Sequence, residues 1–304
     1  MNTAILLTFW KRKEKLKILI EAIRENKPKK IYLACDGPRL NISNDILMVE
    51  ESRKEVEELI DWECSIYKLY SEKNLGCRAA MTKAINWLFD NEEEGIILEE
   101  DCIPHKDFLP YCEALLKKYK NYKNIWNISG TNLQKGNMRG DGSYYFSKYF
   151  NCWGWASWRD RWLNFDSDLK SWPKIKRTKL LDTIFFDPKE INYWSKIFDD
   201  LFSKGEPNSW AYRWFYTCLV NNALTVIPNK NLIQNIGFDK FSTNTNYTLD
   251  ESIIDEGIIP LNYPKNIMHD IKADKYAFYN HYKMTFKRRI KVIIKMPLYY
   301  PKKL

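Results

Sequence analysis

Ile96-Ile97-Leu98-Glu99-Glu100-Asp101 is an apolar run that ends in three consecutive carboxylates, with Cys102-Ile103-Pro104 directly after it. Adjacent acids at a strand end repel one another and raise each other's pKa, so such a cluster asks for a bound cation or a basic partner. A solvated acidic turn is the alternative reading, since Glu92, Glu93 and Glu94 place acids in what reads as a plain loop. What surrounds the triplet decides between the two.

Upstream, apolar runs at 3–9, 30–35 and 65–70 read as strands, and 95–99 is the fourth. Between them lie segments of helical spacing. Leu16, Leu19, Ile20 and Ile23 mark a helix over 13–26, residues 52–61 carry a second, and Ala80, Ala84, Trp87 and Leu88 share one face of a third. Strands alternating with helices predict an α/β fold with a mostly parallel sheet and helices on both faces. In such sheets ligands bind beyond the carboxyl ends of the strands. The loops at 9–12, 36–38, 74–78 and 99–101 are therefore expected to meet on one edge, around the acids.

Downstream, helices are predicted at 107–120, 190–204 and 208–221 and strands at 125–129 and 225–227, with a Gly-rich loop at Gly136, Gly140 and Gly142. Trp153, Trp155, Trp158 and Trp162 fall within ten residues. Tryptophan offers flat faces for sugar or base stacking and an N–H donor, and it equally fills aromatic cores. Both readings stand at this point.

At 304 residues, 45% hydrophobic and 15% aromatic, the chain supports a substantial core. Seven cysteines without a Cys-x-x-Cys pair suggest neither a disulfide framework nor a zinc ribbon, and a reducing, cytoplasmic setting is expected. The net charge of +9 is concentrated: residues 281–304 hold eight lysines and arginines and no acid, which leaves the body close to neutral. That distribution argues against a nucleic-acid partner. In the tail, Phe286, Ile290, Ile293 and Ile294 recur among cations. Such a basic amphipathic segment suits the inner surface of an anionic membrane, making the protein peripheral, or else a helix docked on the body.

Together these segments resemble the GT-A glycosyltransferases, specifically bacterial family-2-like sugar transferases related to the N-acetylglucosaminyltransferase of the N-glycan pathway. The likeness spans residues 3–270 and rests on Leu98-Glu99-Glu100-Asp101 with Asp107-Phe108, on Trp153-Gly154-Trp155, and on Asn229 through Phe238. It implies a GT-A domain over 1–280, with a nucleotide-binding half at 1–104 and an acceptor half at 105–280, followed by the tail. It implies Asp101 as ligand to Mn2+ or Mg2+, Glu100 toward the ribose and Glu99 toward the donor sugar, a role that suits hard cations. Thr8, Phe9, Arg12 and Asp36 match positions holding the base and ribose; Asn74, Gly76 and Arg78 match the loop beside the diphosphate. Arg78 reads either as a phosphate donor or as a surface residue. Trp153, Gly154, Trp155 and Trp210 are implied on the acceptor side.

The implied reaction is metal-dependent transfer, with inversion, from a nucleotide sugar, by family habit a UDP-sugar, to a lipid-linked or cell-surface glycan. Attack by an acceptor hydroxyl needs a general base. The family's acidic position falls on Ala211, so the nearest carboxylate, Glu206, is the candidate, with a favourable helix N-terminal charge as its other reading. Asn244 stands where relatives carry His, and His269 is expected either to close over the diphosphate or to be structural. A nucleotide-sugar binding protein that has lost catalysis is the second hypothesis. A sugar nucleotidyltransferase is disfavoured by the lack of glycine in Thr8-Phe9-Trp10-Lys11.

Overall fold

The computed structural model describes residues 1–237 and 257–283. Strands β1 (Ala4–Phe9), β2 (Lys30–Cys35), β3 (Ser65–Tyr70) and β4 (Glu94–Glu99) alternate with helices α1 (Lys13–Arg24), α2 (Ser43–Leu59) and α3 (Cys77–Asn91). All four strands are parallel and lie in the order β3-β2-β1-β4. The four expected strands are therefore present. The second helix begins nine residues before the expected one, because its first turns, around Ile46 and Leu47, expose apolar residues and so lack an amphipathic pattern.

The chain continues through β5 (Cys102–Pro104), α4 (Phe108–Tyr119), β6 (Ile125–Ser129), β7 (Tyr144–Ser147) and β8 (Trp155–Trp158). Helices α5 (Arg159–Trp162), α6 (Trp172–Arg177), α7 (Leu180–Ile184), α8 (Pro188–Lys204) and α9 (Trp210–Val220) follow, then β9 (Leu224–Pro228), β10 (Ile233–Asn235) and α10 (Ile271–Ala277). The main sheet has eight strands, ordered β3-β2-β1-β4-β8-β6-β9-β7, with β8 and β7 antiparallel to their neighbours. It is a mostly parallel α/β sheet. A two-stranded antiparallel ladder, β5 with β10, closes over the end of β4.

Both faces of the sheet are covered, which is why its strands read as near-continuous apolar runs. Ile5, Leu7 and Leu33 point to α1, α2 and α4. Leu6, Tyr32 and Ile97 point to α3, α8 and α9, where Trp155, Trp162, Trp194, Trp210 and Trp214 form an aromatic core. All seven cysteines are free thiols. Among the described residues, no helix is long and apolar enough to cross a membrane. Asn244 and the tail beyond Lys283 lie outside the described residues.

Candidate functional site

The four loops meet. Trp10 N donates to Glu100 Oε2 at 2.8 Å, and Trp10 Nε1 donates to Gly37 O at 2.9 Å, tying the first loop to the end of β4 and to the second loop. Asp36 Oδ1 accepts from Gly37 N and Leu75 N, and its Oδ2 accepts from Asn74 Nδ2 and Gly76 N, all between 2.8 and 3.1 Å. Gly37 permits this closeness, because a Cβ there would lie 2.4 Å from the Lys73 backbone. Asp36, expected to face the nucleotide, organises the loop that opens α3.

The acidic triplet divides by side. Glu100 is buried, with Oε2 accepting from Trp10 N and Oε1 from Arg12 Nε, so it is tied to the first loop. Burial raises its pKa although Arg12 works against the rise. Glu99 and Asp101 are part-exposed. Asp101 Oδ2 accepts from Arg12 Nη2 at 3.1 Å. Burial opposes the charge of Arg12, and Glu100 and Asp101 overcome it, holding the guanidinium protonated beyond its ordinary range. The Glu99 carboxylate has no hydrogen-bond or ion-pair partner among the described residues, and burial, then Asp101, pushes its pKa up to about 8. A carboxyl strained in this way becomes anionic once a cation arrives.

Glu99 and Asp101 therefore fit a hard divalent ion, which commonly takes one or two protein carboxylates and completes its shell from phosphate and water. Two further features frame them. The start of α3 is held at this edge of the sheet, with Gly76 N donating to Asp36 Oδ2 at 3.1 Å. Ile236 N donates to Asp101 O at 2.8 Å, and a Cβ on Gly237 would lie 2.3 Å from Asp101 Oδ2. The backbone after β10 thus walls the site beside Asp101.

Other expected site residues take different places. Thr8 and Phe9 are buried: Thr8 Oγ1 donates to Leu98 O, and Phe9 packs edge-on against Tyr70, because both belong to the strand rather than to its loop. The residue sequence reading passed over is Trp10, whose ring has Lys11 Nζ at 4.3 Å and the Arg39 guanidinium at 5.0 Å, both of which pair with buried Asp45. Its position immediately after an apolar strand was the available signal.

The tryptophan segment resolves mainly as core. Trp155 and Trp210 are buried and stacked at 5.7 Å, so neither presents a face to an acceptor. Trp153 is part-exposed, 6.3 Å from the His281 ring. Gly154 has φ +60°, and a Cβ there would lie 2.4 Å from Ile233 Cδ1. His269 bridges Phe146 on β7, four strands from β4 and so about 19 Å away at usual strand spacing. It is therefore structural and does not close over the acids. Glu206 is exposed on the α8–α9 loop, which Arg213 holds by donating to the carbonyls of Gly205, Pro207 and Ser209.

No protein-family model and no curated protein matches the chain. Solved structures with a similar arrangement include residues 1–349 of S. aureus TarS, at 10% identity and TM-score 0.43, covering 78% of this chain and 61% of that one. An active-site mutant of LgtC aligns at 12% identity and TM-score 0.37, covering 79% and 91%. UDP-glucose pyrophosphorylase with UDP-glucose aligns at 9% and 0.31, covering 54% and 79%. This chain thus spans about three fifths of the TarS chain. Superposition at this level assigns neither a substrate nor a reaction to it.

Proposed function

We propose that this protein is a metal-dependent glycosyltransferase of the GT-A type, moving a sugar from a nucleotide donor, a UDP-sugar by preference, to a surface-polysaccharide or lipid-linked acceptor. The observation that carries the reading is the unpartnered Glu99 beside Asp101, at the end of β4, with Arg12 on the first loop and Arg78 in the first turn of α3. Bound Mn2+ or Mg2+ would neutralise charge developing on the leaving diphosphate. Glu99 and Asp101 would hold that ion. Arg12 balances the acids in its absence and can turn to the diphosphate, as guanidinium favours phosphate. Trp10, gripped by Lys11 and Arg39, offers a ring to the base.

Glu206 is proposed as general base, on an exposed loop where an acceptor hydroxyl would have access. Calorimetry of UDP-glucose and UDP-N-acetylglucosamine with and without Mn2+ tests the donor assignment. Binding that requires Mn2+ and is lost in Asp101→Ala is expected; metal-independent binding unaffected by Asp101→Ala defeats it. Ala211 at the family's acidic position favours a second reading, a donor-binding protein without transfer. Release of nucleoside diphosphate on adding acceptor glycans would eliminate that one.

A further inference from the structure

A cavity of about 540 Å³ lies between α3 and the turn at 167–168. Arg78, Thr82, Lys83 and Trp87 of α3 form one wall, and Asp168 and Arg213 stand opposite. Lining residues run along α3 as far as Asp90, about 18 Å at the helical rise per residue. That length suits an oligosaccharide better than a single sugar. At one end, Arg78 stands two residues after Gly76, whose N–H donates to Asp36 at the end of β2, so this end lies on the sheet edge where β4 also ends. On the far wall, Arg213 secures the carbonyls on either side of Glu206. The cavity thus runs from the ligand-side edge of the sheet toward the loop that carries the candidate base, a course that suits an acceptor.

Its charge is unbalanced at that end. The Arg78 guanidinium has no ion pair or hydrogen bond among the described residues, and Lys83 Nζ reaches only Ser71 Oγ, at 3.5 Å. Arg213 is buried, its donors taken by four backbone carbonyls, and Arg78 adds to burial in lowering its hold on its proton. Asp168 acts on Arg213, and its 4.0 Å pair with Lys170 is exposed, so Arg78 and Lys83 are the cations left over. Asp90 adds a single negative charge at the far end. Trp87, part-exposed and fixed edge-on at 4.8 Å to Tyr32, offers a flat apolar face, with Thr82 and Asn86 beside it as hydrogen-bonding groups. An aromatic face among polar groups suits a sugar ring, and cations without acid partners call for an anion.

We propose that this cavity binds an anionic saccharide, a chain bearing phosphate or carboxylate groups, as the acceptor. The acceptor role rests on the transferase reading above; saccharide binding does not. The test measures affinity of tetragalacturonate, a phosphorylated mannotetraose and neutral maltotetraose for wild type, for Lys83→Glu, and for Lys196→Glu, an equal charge change on exposed α8. Either anionic chain should bind more tightly than maltotetraose, and Lys83→Glu should weaken it about tenfold while Lys196→Glu leaves it unchanged. Phosphate and carboxylate as sources are told apart by which chain binds. Equal losses in both variants, or equal binding of neutral and anionic chains, overturn the proposal. UDP-glucose with Mn2+ is titrated in parallel and should bind both variants like wild type. Saccharide binding without donor binding would leave the cavity assignment standing and overturn the transferase reading alone.

Discussion

Adding one methyl group at residue 237 would place a carbon 2.3 Å from Asp101 Oδ2, a separation at which one of the two must move. The carboxylate is the freer partner, so Gly237→Ala should turn Asp101 out of its position against Arg12. Donor affinity in Mn2+ is expected to fall about tenfold, at the scale of a lost charge-assisted contact, with little change in thermal unfolding. Unchanged affinity would show that the backbone does not position Asp101. Gly154→Ala has the opposite profile, since φ +60° and the contact with Ile233 lie in the core. It should lower stability by about 1–3 kcal/mol in urea unfolding, from overpacking and backbone strain. At this scale the sequence exposed the acids but not their orientations. Glu100 is the most buried of the three because Trp10 N and Arg12 take its oxygens, a pairing across some ninety residues that no local pattern contains.

Helix α10 docks on β7 through one carboxylate. Ser147 Oγ donates to Asp274 Oδ1 at 2.5 Å and Lys148 N to Oδ2 at 3.3 Å, while burial raises the Asp274 pKa from the ordinary aspartate value to about 7. Below about pH 4 the group is protonated in both folded and unfolded chains. Between there and about 7 the unfolded chain gives up the proton while the folded one keeps it, so stability falls as pH rises through that window. Asp274→Asn should flatten the slope of unfolding free energy against pH from about 4.5 to 7.5; an unaltered slope would locate the dependence elsewhere. Elements β1 to β4 were legible because each is an apolar run bounded by helical spacing. Strands β7, β8 and β10 were not: four, four and three residues are too short to show a period, and β8 is inserted antiparallel between β4 and β6. Trp155 of β8 packs with Trp210 and Trp214 of α9 in one core while Trp158 joins the core on the other face of the sheet, a tertiary fact absent from their spacing.

For the whole molecule, the near-neutral body contrasts with the eight cations of 281–304, a segment we propose to meet an anionic membrane surface. Removing residues 284–304 should shift the protein from membrane to soluble fractions while donor affinity stays constant; unchanged fractionation would remove the membrane role. The strand order has a further effect, on synthesis. Strands β1 to β4 can pair among themselves as soon as they leave the ribosome, since β3-β2-β1-β4 draws on nothing later in the chain. The outer edge of β4, Gly95 to Ile97, must then wait for Trp155–Trp158 to be made before it is covered. At translation rates of about 5–20 residues per second that interval lasts roughly 3–12 s, during which a nascent chain carries a bare, apolar strand edge. Truncations ending near residue 104 should therefore accumulate as aggregates, and full-length yield should respond to chaperones that shield nascent chains.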